Sequence, residues 1–186
     1  MWLPEKAEAL AFLHAHLSTP NLRLHSLASG AIMRALAPRL GGDPNLWELA
    51  ALFHDIDLDL VAGNMTQHAR VGARLLEEKG FPPEGVRAIL AHNGEHTGIH
   101  PTSTLEIALL ASEQVTGLIT AVALVKGRSL AAVEPASVKK RMKELRFAAG
   151  VNRQHVQDIE KTGLPFDEFL ATAVTAMQAI APDLGL

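Results

Sequence analysis

The sequence predicts an all-α protein that forms a single domain over residues 1–186. Apolar residues recur at three- and four-residue spacing along most of the chain, as they do on the buried face of a helix. Strand-like alternation between turn signals is not sustained anywhere. With 48% hydrophobic residues, the chain is long enough to fill one core. We therefore expect a bundle of roughly nine helices, a number that follows from the periodic segments.

The first three helices are predicted from start and stop signals. Residues 1–17 form the first, and the second runs from about Asn21 to Arg39 with apolar residues at helical spacing. The third begins at the cap residue Asp43, with Pro44 in its first turn, and is almost entirely apolar.

The next two predicted helices are bounded by Gly and Pro. One runs from about Thr66 to Lys79 and stops at Gly80, because glycine readily adopts the left-handed conformation of a helix cap. Pro82 and Pro83 open a short fifth helix, which ends near the sequence HNGEHTG.

The most apolar segment, Leu105–Val125, predicts a long central helix, and the preceding STLE fits a capping box. The segment nearly has the length of a membrane span. Glu106 and Glu113 interrupt it, however, and nothing basic flanks its start, so a buried helix is the better interpretation. Three more helices are predicted after it, at residues 135–146, 152–161 and 166–180.

Composition excludes several classes of function. The 17 basic and 20 acidic residues give a net charge of −3, which predicts neither a nucleic-acid polymer nor an anionic membrane as partner. Cysteine is absent, so any metal must be held by His, Asp or Glu, and nine histidines are present. The N-terminus lacks the basic start and unbroken apolar stretch of a signal peptide, so a cytoplasmic location is expected.

The stretch FHDIDLDLVAGN, residues 53–64, raises the question of a calcium loop. Three acids match the first, third and fifth positions of an EF-hand loop: Asp55, Asp57 and Asp59. Leu60 occupies the sixth position, where glycine is needed, and Thr66 the twelfth, where glutamate is needed. A calcium loop is therefore excluded, and the pair His54–Asp55 at the polar end of a buried helix remains to be explained.

Successive predicted helices each bring a side chain that can bind a metal ion. The set is His25, His54, Asp55, His68, His92 and Glu113. A single buried histidine is more often structural than a ligand, but so many on consecutive elements with little polar competition indicate a metal site.

These residues follow the order H…HD…H…H…D of the HD superfamily of metal-dependent phosphohydrolases, which the chain resembles. The blocks HSLASGAIMRALA, LAALFHDIDLD, HARVGARLLEEKG, VRAILAHN and VTGLITAVALV are similar to those of small bacterial HD-domain hydrolases. The likeness continues through SVKKRMKELRFAAGVNR, so it covers most of the chain.

The resemblance implies an HD-type helical bundle with a central metal site. Its ligand core would span about residues 21–126, with C-terminal helices at 135–182 packed on it. Two sets of ligands are implied, with Asp55 bridging: His25, His54, Asp55 and Glu113 for one ion, and His68 and His92 for the other. Such ligands suit iron, manganese, zinc or nickel. Two ions can stabilise a phosphoryl transfer, with His54 and Asp55 at the catalytic centre.

The chain departs from the family pattern at Glu113, where an aspartate is expected. Glutamate extends the carboxylate by about 1.5 Å, the length of one bond. Glu113 then either binds the first ion, leaves that site weak, or serves as a hydrogen-bonded structural acid. The cyclic-dinucleotide branch of the family is disfavoured, because no lysine closely follows the HD pair and no GYP occurs.

Other polar residues have two open interpretations each. Asp57 and Asp59 either orient a ligand histidine or take part in proton transfer, or they are simply solvated at a helix end. HNGEH at residues 92–96 formally fits an inverted zinc-protease motif, but Gly94 and its neighbours disfavour the continuous helix that the motif needs. His96 is therefore expected in a loop at the mouth of the site, near substrate or water. The basic run at residues 139–146 is either a solvated helix face or a source of charge for phosphate.

The sequence thus predicts a metal-dependent phosphohydrolase that acts on a small phosphorylated compound, such as a nucleotide. The alternative is an HD-type domain that binds metal or ligand without turnover. An oxygen-using di-iron enzyme is a more remote alternative, since some HD-like folds use similar ligands.

Overall fold

The computed structural model describes residues 1–186 and is built from eleven α-helices, three short 3₁₀ turns and no strand. The predicted all-α fold is confirmed. The helices are α1 (Lys6–His16), α2 (Pro20–Leu36), α3 (Pro44–Phe53), α4 (Arg70–Lys79), α5 (Pro83–His92), α6 (Gly94–Thr97), α7 (Thr104–Val125), α8 (Pro135–Arg141), α9 (Arg153–Gln157), α10 (Phe166–Ala179) and α11 (Ala181–Leu184). The 3₁₀ turns are Ala37–Arg39, Leu130–Ala132 and Asp158–Thr162.

Helix α3 is the buried element whose end positions the HD pair. Its N-terminus is capped as the sequence predicts, because the Asp43 carboxylate accepts a hydrogen bond of 2.8 Å from the backbone N–H of Leu46. Most of its residues are buried, and it packs chiefly against α2. The last residue, Phe53, is fully buried among the rings of Trp2, Phe12 and Phe81. This aromatic cluster fixes the end of α3 immediately before His54.

Helix α7 runs through the centre of the bundle and contacts α2, α5 and α9. It begins with the predicted capping box, in which Ser103 and Glu106 exchange hydrogen bonds with each other's backbone N–H. By length and composition α7 could cross a membrane, but 61% of its most apolar stretch is buried inside the protein, and a core helix passes the same test. Helix α7 is therefore a buried core helix in this structure, as the sequence predicts.

Helix α4 begins later than the sequence predicts. The Asn64 side chain accepts hydrogen bonds from the backbone N–H and the hydroxyl of Thr66, which favours a turn over a helix. Ala69 then adopts a positive φ of 68°, and the helix starts only at Arg70. His68 accordingly lies in the turn before α4 and not in its first turn.

The segments after α5 also differ from the prediction. Asn93 interrupts the helix with φ −103° and ψ 42°, and the one-turn helix α6 follows where a loop was expected. The inverted zinc-protease motif is disfavoured because this break separates His92 from His96. Helix α8 ends at Arg141, about one turn early, and the predicted helix 152–161 is split into α9 and a 3₁₀ turn.

Candidate metal centre

The ligand-type side chains meet around the Asp55 carboxylate, just beyond the end of α3. They come from α2, the end of α3, the turn before α4, the end of α5 and α7: His25, His54, His68, His92 and Glu113. Asp55, His54 and His68 are buried, whereas His25, His92 and Glu113 are partly buried. Five different segments thus converge on one carboxylate.

Each oxygen of Asp55 faces its own pair of histidines. Oδ2 lies 3.8 Å from Nε2 of His25 and 3.3 Å from Nε2 of His54. Oδ1 lies 3.3 Å from Nε2 of His68 and 3.6 Å from Nε2 of His92. Two candidate metal groups result, namely His25–His54–Asp55 and Asp55–His68–His92, and in each the ligand atoms lie within 4.8 Å of one another. The carboxylate they share can bridge two ions.

The opposite ring nitrogens of two histidines are held by the backbone. Nδ1 of His54 donates to the carbonyl oxygen of Ala51 at 2.6 Å, and Nδ1 of His92 donates to that of Ile89. A carbonyl only accepts hydrogen bonds, so each Nδ1 carries a proton. The proton on Nδ1 leaves the lone pair of a neutral ring on Nε2, which faces Asp55.

Side chains fix the other two rings in the same tautomer. Nδ1 of His68 donates to the Asp57 carboxylate at 2.7 Å. Nδ1 of His25 lies 2.9 Å from the Thr116 hydroxyl, which donates its own proton to the carbonyl of Glu113 at 2.6 Å. Thr116 must therefore accept from His25. Such partners on the far side of a ring are typical of metal-binding histidines.

The facing Nε2 atoms require a cation. They lie 3.2 Å apart between His25 and His54, and 2.9 Å apart between His68 and His92. Two lone pairs cannot face each other unless a proton or a metal ion neutralises them. Burial alone would lower the pKa of His68, but hydrogen bonds to Asp55 and Asp57 raise it to about 9, so a proton is bound there when no metal is present.

The pKa values of the other residues in the cluster agree with a site that exchanges protons for a metal ion. Burial lowers the pKa of His25 to about 4 and also lowers that of His92, so both rings are neutral as ligands must be. His54 is buried, which opposes its charge, but the Asp55 carboxylate raises its pKa. Burial would raise the pKa of the Asp55 carboxyl, but the charge and the hydrogen bond of His54 hold this pKa well below its usual range. Imidazoles and one anionic carboxylate fit a divalent transition metal.

Asp57, whose role the sequence leaves open, lies behind the ring of His68, on the side away from Asp55. It is fully buried, and its second oxygen accepts a hydrogen bond of 2.7 Å from the backbone N–H of Gly72. Since the first oxygen accepts from His68, Asp57 ties that ring to the start of α4. The structure therefore favours the orienting role for Asp57 over solvation at a helix end.

The structure does not bring Asp59 to the cluster. Its carboxylate is exposed and accepts hydrogen bonds from the backbone N–H groups and hydroxyls of Ser18 and Thr19, at 2.6 to 2.8 Å. These residues directly precede α2, so Asp59 caps the start of that helix from another segment. All of these contacts lie at the start of α2, so the structure gives Asp59 no hydrogen bond to a ligand histidine.

Glu113 lies at the edge of the first group. Its Oε2 is 4.0 Å from Nε2 of His25, and its Oε1 accepts a hydrogen bond of 2.8 Å from the side chain of Gln114. Burial raises the pKa of the Glu113 carboxyl to about 7, so a proton competes with metal near neutral pH. Glu113 is thus near the position of a ligand, but is held more loosely than Asp55.

His96 is exposed and lies on the short helix α6 beside the cluster, where the sequence predicts a loop. Its Nδ1 lies 2.9 Å from the Asn93 side-chain oxygen. With His92, His100 and His155 it lines a cavity of about 260 Å³. Asn93 also donates to the backbone carbonyls of Met65 and His68, and so fixes the turn that presents His68.

Two functional residues were not predicted from the sequence. Thr116 orients His25, and Asn93 supports the His68 turn. Neither has a signal in the sequence, because a threonine within an apolar helix and an asparagine after a helix are common. Their roles depend on contacts between segments that are far apart in the chain.

Comparisons with known proteins point to one family. Residues 23–126 match the HD domain family. The matching curated proteins include ribonuclease Y of Sulfurovum sp., 30% identical over 52% of this chain and 18% of that protein, and ribonuclease Y of Opitutus terrae, 31% identical over 50% and 18%. Ribonuclease Y of Latilactobacillus sakei is 29% identical over 61% of this chain and 21% of its own length.

The chain therefore spans about a fifth of the length of these curated relatives. No solved structure matches it. The HD family match coincides with the ligand core predicted at about residues 21–126 and confirms the resemblance found in the sequence. Since the matched region covers more than half of the chain and includes every ligand-type residue of the cluster, the chain belongs to the HD domain family.

Proposed function

We propose that this protein is a metal-dependent phosphohydrolase that cleaves a phosphate mono- or diester of a small molecule, such as a nucleotide. The HD domain places it in a superfamily of metal-dependent phosphohydrolases. The observation that carries the proposal is the Asp55 carboxylate with a pair of histidine Nε2 atoms on each oxygen. This is a donor set for two neighbouring divalent ions, of iron, manganese, zinc or nickel.

The reaction breaks the bond from phosphorus to the leaving alcohol and forms a bond from phosphorus to water oxygen. The water loses a proton, and the alcohol gains one. Bound divalent ions supply Lewis acidity for the phosphoryl oxygens and lower the pKa of the attacking water. Asp55 belongs to both groups, His25 and His54 complete the first, and His68 and His92 complete the second.

The surrounding residues keep this arrangement rigid. Asp57 and Thr116 fix the tautomers of His68 and His25, so their Nε2 atoms are available without rearrangement. The buried end of α3 keeps bulk water from most of the cluster, which strengthens the electrostatic interactions within it. Preorganised charge of this kind is what a phosphoryl transfer needs.

A small substrate is proposed because the chain has no excess of basic residues that would attract a polymeric phosphate. Its net charge is −3, and within the basic run Lys139 pairs with Asp167 and Arg141 pairs with Glu144. The names of the matching relatives indicate that those proteins act on RNA, and nucleotides are therefore included among the candidate substrates. The proposal includes a cytoplasmic location and no membrane partner.

A second candidate is an HD-type domain that binds metal or ligand without turnover. The position of Glu113 favours it, since its carboxylate lies 4.0 Å from His25 and readily takes up a proton. A weak first ion site would retain binding at the other group but lower the rate of hydrolysis.

The test begins with elemental analysis of the protein purified without added metal and after reconstitution. We expect bound transition metal, and much less of it in His54→Ala and Asp55→Ala variants. A panel of phosphatase and phosphodiesterase substrates, including nucleotides and a short RNA, then measures turnover, with Asp59→Asn as the matched control outside the cluster. Absence of metal after reconstitution, or turnover in both alanine variants equal to that of the unmodified chain, would contradict the proposal. Metal binding without turnover on any substrate would favour the second candidate.

A further inference from the structure

A second cavity adjoins the metal cluster between α2 and α7. It has a volume of about 550 Å³, and both His25 and Thr116 line it. The side chain of His25 is 25% exposed, whereas the other ligand-type side chains that face Asp55 are 12% exposed or less. His25 is therefore the most exposed of the ligand-type residues, and it is the one that lines this cavity, which we call the α2–α7 cleft.

The walls of the α2–α7 cleft are largely apolar. Leu24 and Ala28 contribute from α2, and Ala121 and Leu124 from α7. From Thr116 to Leu124 the cleft follows nine residues of α7, and the eight steps between them span about 12 Å of helix. No acidic side chain lines it, and its one cationic side chain, Arg128, is exposed. The α2–α7 cleft thus begins at His25 and Thr116 and continues along an apolar wall towards solvent.

The other cavity at the cluster is less suited to an organic group. It is about 260 Å³ in volume and is lined mainly by polar residues. The amide of Gln114 is already used, since its oxygen accepts from the backbone N–H of Asn152 at 2.6 Å and its nitrogen donates to Glu113. An apolar substituent would leave polar groups in that cavity without partners, whereas the α2–α7 cleft gives it apolar contacts.

From this difference we infer that the α2–α7 cleft binds the organic group of the substrate, and that, within the proposed class of small phosphate esters, the substrate is the ester of an apolar alcohol and not a nucleotide. The inference rests on the proposed function, because it assumes that the phosphate lies at the metal cluster beside His25. The organic group then extends along α7 past Ala121 towards Leu124. A chain or ring system up to about 12 Å long fits along this wall.

Binding should therefore strengthen with the length of an alkyl chain. Burial of one methylene is worth about 0.8 kcal/mol, which corresponds to roughly a fourfold gain in affinity. The gain should continue until the chain reaches Leu124 and then level off. A substrate group that stays in water would show no such dependence.

The experiment uses methyl-, butyl- and hexylphosphonate, which are not hydrolysed, and the metal-loaded full chain. Isothermal titration calorimetry measures their dissociation constants. We expect a rise in affinity of several-fold per methylene from methyl to hexyl. Equal affinity for all three phosphonates would overturn the inference. In parallel, hydrolysis of methyl, butyl and hexyl phosphate is followed by release of inorganic phosphate.

Variants locate the effect in the cleft. Ala121→Phe fills the cleft and should abolish the gain with chain length, and Leu124→Ser should reduce it by removing an apolar wall. Leu145→Ser is the matched control, since Leu145 is also an exposed leucine but lies outside the cleft. Thermal unfolding checks that each variant is folded. If Leu124→Ser, like the control Leu145→Ser, kept the same dependence of affinity on alkyl chain length as the unmodified chain, the α2–α7 cleft would not be the binding site.

The two proposals fail in different ways. If affinity for phosphonates rises with chain length but no phosphate ester is hydrolysed, the cleft binds as inferred and the hydrolase proposal fails. If the esters are hydrolysed at rates that do not depend on chain length and the phosphonates bind equally, the hydrolase proposal stands and the inference about the cleft fails.

Discussion

Replacement of Asp57 by Asn tests whether this residue controls the metal-binding tautomer of His68. The Asp57 carboxylate accepts two hydrogen bonds of 2.7 Å, one from Nδ1 of His68 and one from the backbone N–H of Gly72. Asparagine has only one oxygen. The backbone N–H of Gly72 always needs an acceptor, so the amide oxygen should face Gly72 and the amide nitrogen should face His68.

The ring of His68 must then accept at Nδ1, and its proton moves to Nε2, where it blocks metal binding. Loss of such a partner behind a ligand weakens metal binding by about 10- to 100-fold, or about 1.4 to 2.7 kcal/mol. The loss should fall on the group Asp55–His68–His92, and the group with His25 should bind as before. The substitution keeps the size of the side chain, so packing is little changed.

The assay is competition for metal against a chromophoric chelator at fixed pH. Asp59→Asn is the matched control, because it makes the same chemical change at an acid that caps α2 outside the cluster. We expect unchanged metal affinity in the control and weaker binding of one ion in Asp57→Asn. Equal affinity in the two variants would refute the argument that a hydrogen bond to Asp57 sets the tautomer of His68.

Three further predictions follow from single contacts. Glu113→Asp should lower the metal content of the His25 group, because Glu113 is already 4.0 Å from His25 and the shorter side chain withdraws it; equal or higher content by elemental analysis would contradict this. Hydrogen bonds from Thr19 and Ser18 lower the pKa of Asp59 to about 2, so its stabilising effect is complete above about pH 4, near its unfolded pKa, and is lost as pH falls towards 2. Asp59→Asn should therefore lose less thermal stability than the unmodified chain between pH 5 and pH 2.5, and parallel losses would be evidence against the cap. Phe53→Ala should lower the free energy of unfolding by about 3 to 5 kcal/mol in denaturant titration, since Phe53 is fully buried; a loss below about 1 kcal/mol would mean that the aromatic cluster does not support the end of α3.

Much of the fold could be predicted because its signals are local. The caps at Asp43 and Ser103 and the stop at Gly80 are formed as expected. The start of α4 was not predicted, since Asn64 and Thr66 form a competing turn whose strength depends on its surroundings. The same holds for the split of the segment 152–161.

The residues of the candidate site could be named from the sequence, but their individual roles could be predicted only in part, for a similar reason. Ligand-type residues stand out in an apolar sequence, so the set around Asp55 could be named in advance. Asp57 and Asp59 could not be told apart, because they are equivalent by pattern and differ only in what lies opposite them in the fold. Asp57 meets His68, whereas Asp59 meets the start of α2.

The sequence by itself determined the helical architecture, the absence of thiolate ligands and the identity of the side chains that can hold a metal. These properties depend on residue type and on spacing within one helix, which the chain order contains directly. Only the tertiary structure decided that the two oxygens of Asp55 face separate histidine pairs, that Thr116 orients His25, and that an apolar cleft opens beside it. Each of these depends on distances between segments that are remote in sequence, and such distances are set by the packing of the whole bundle.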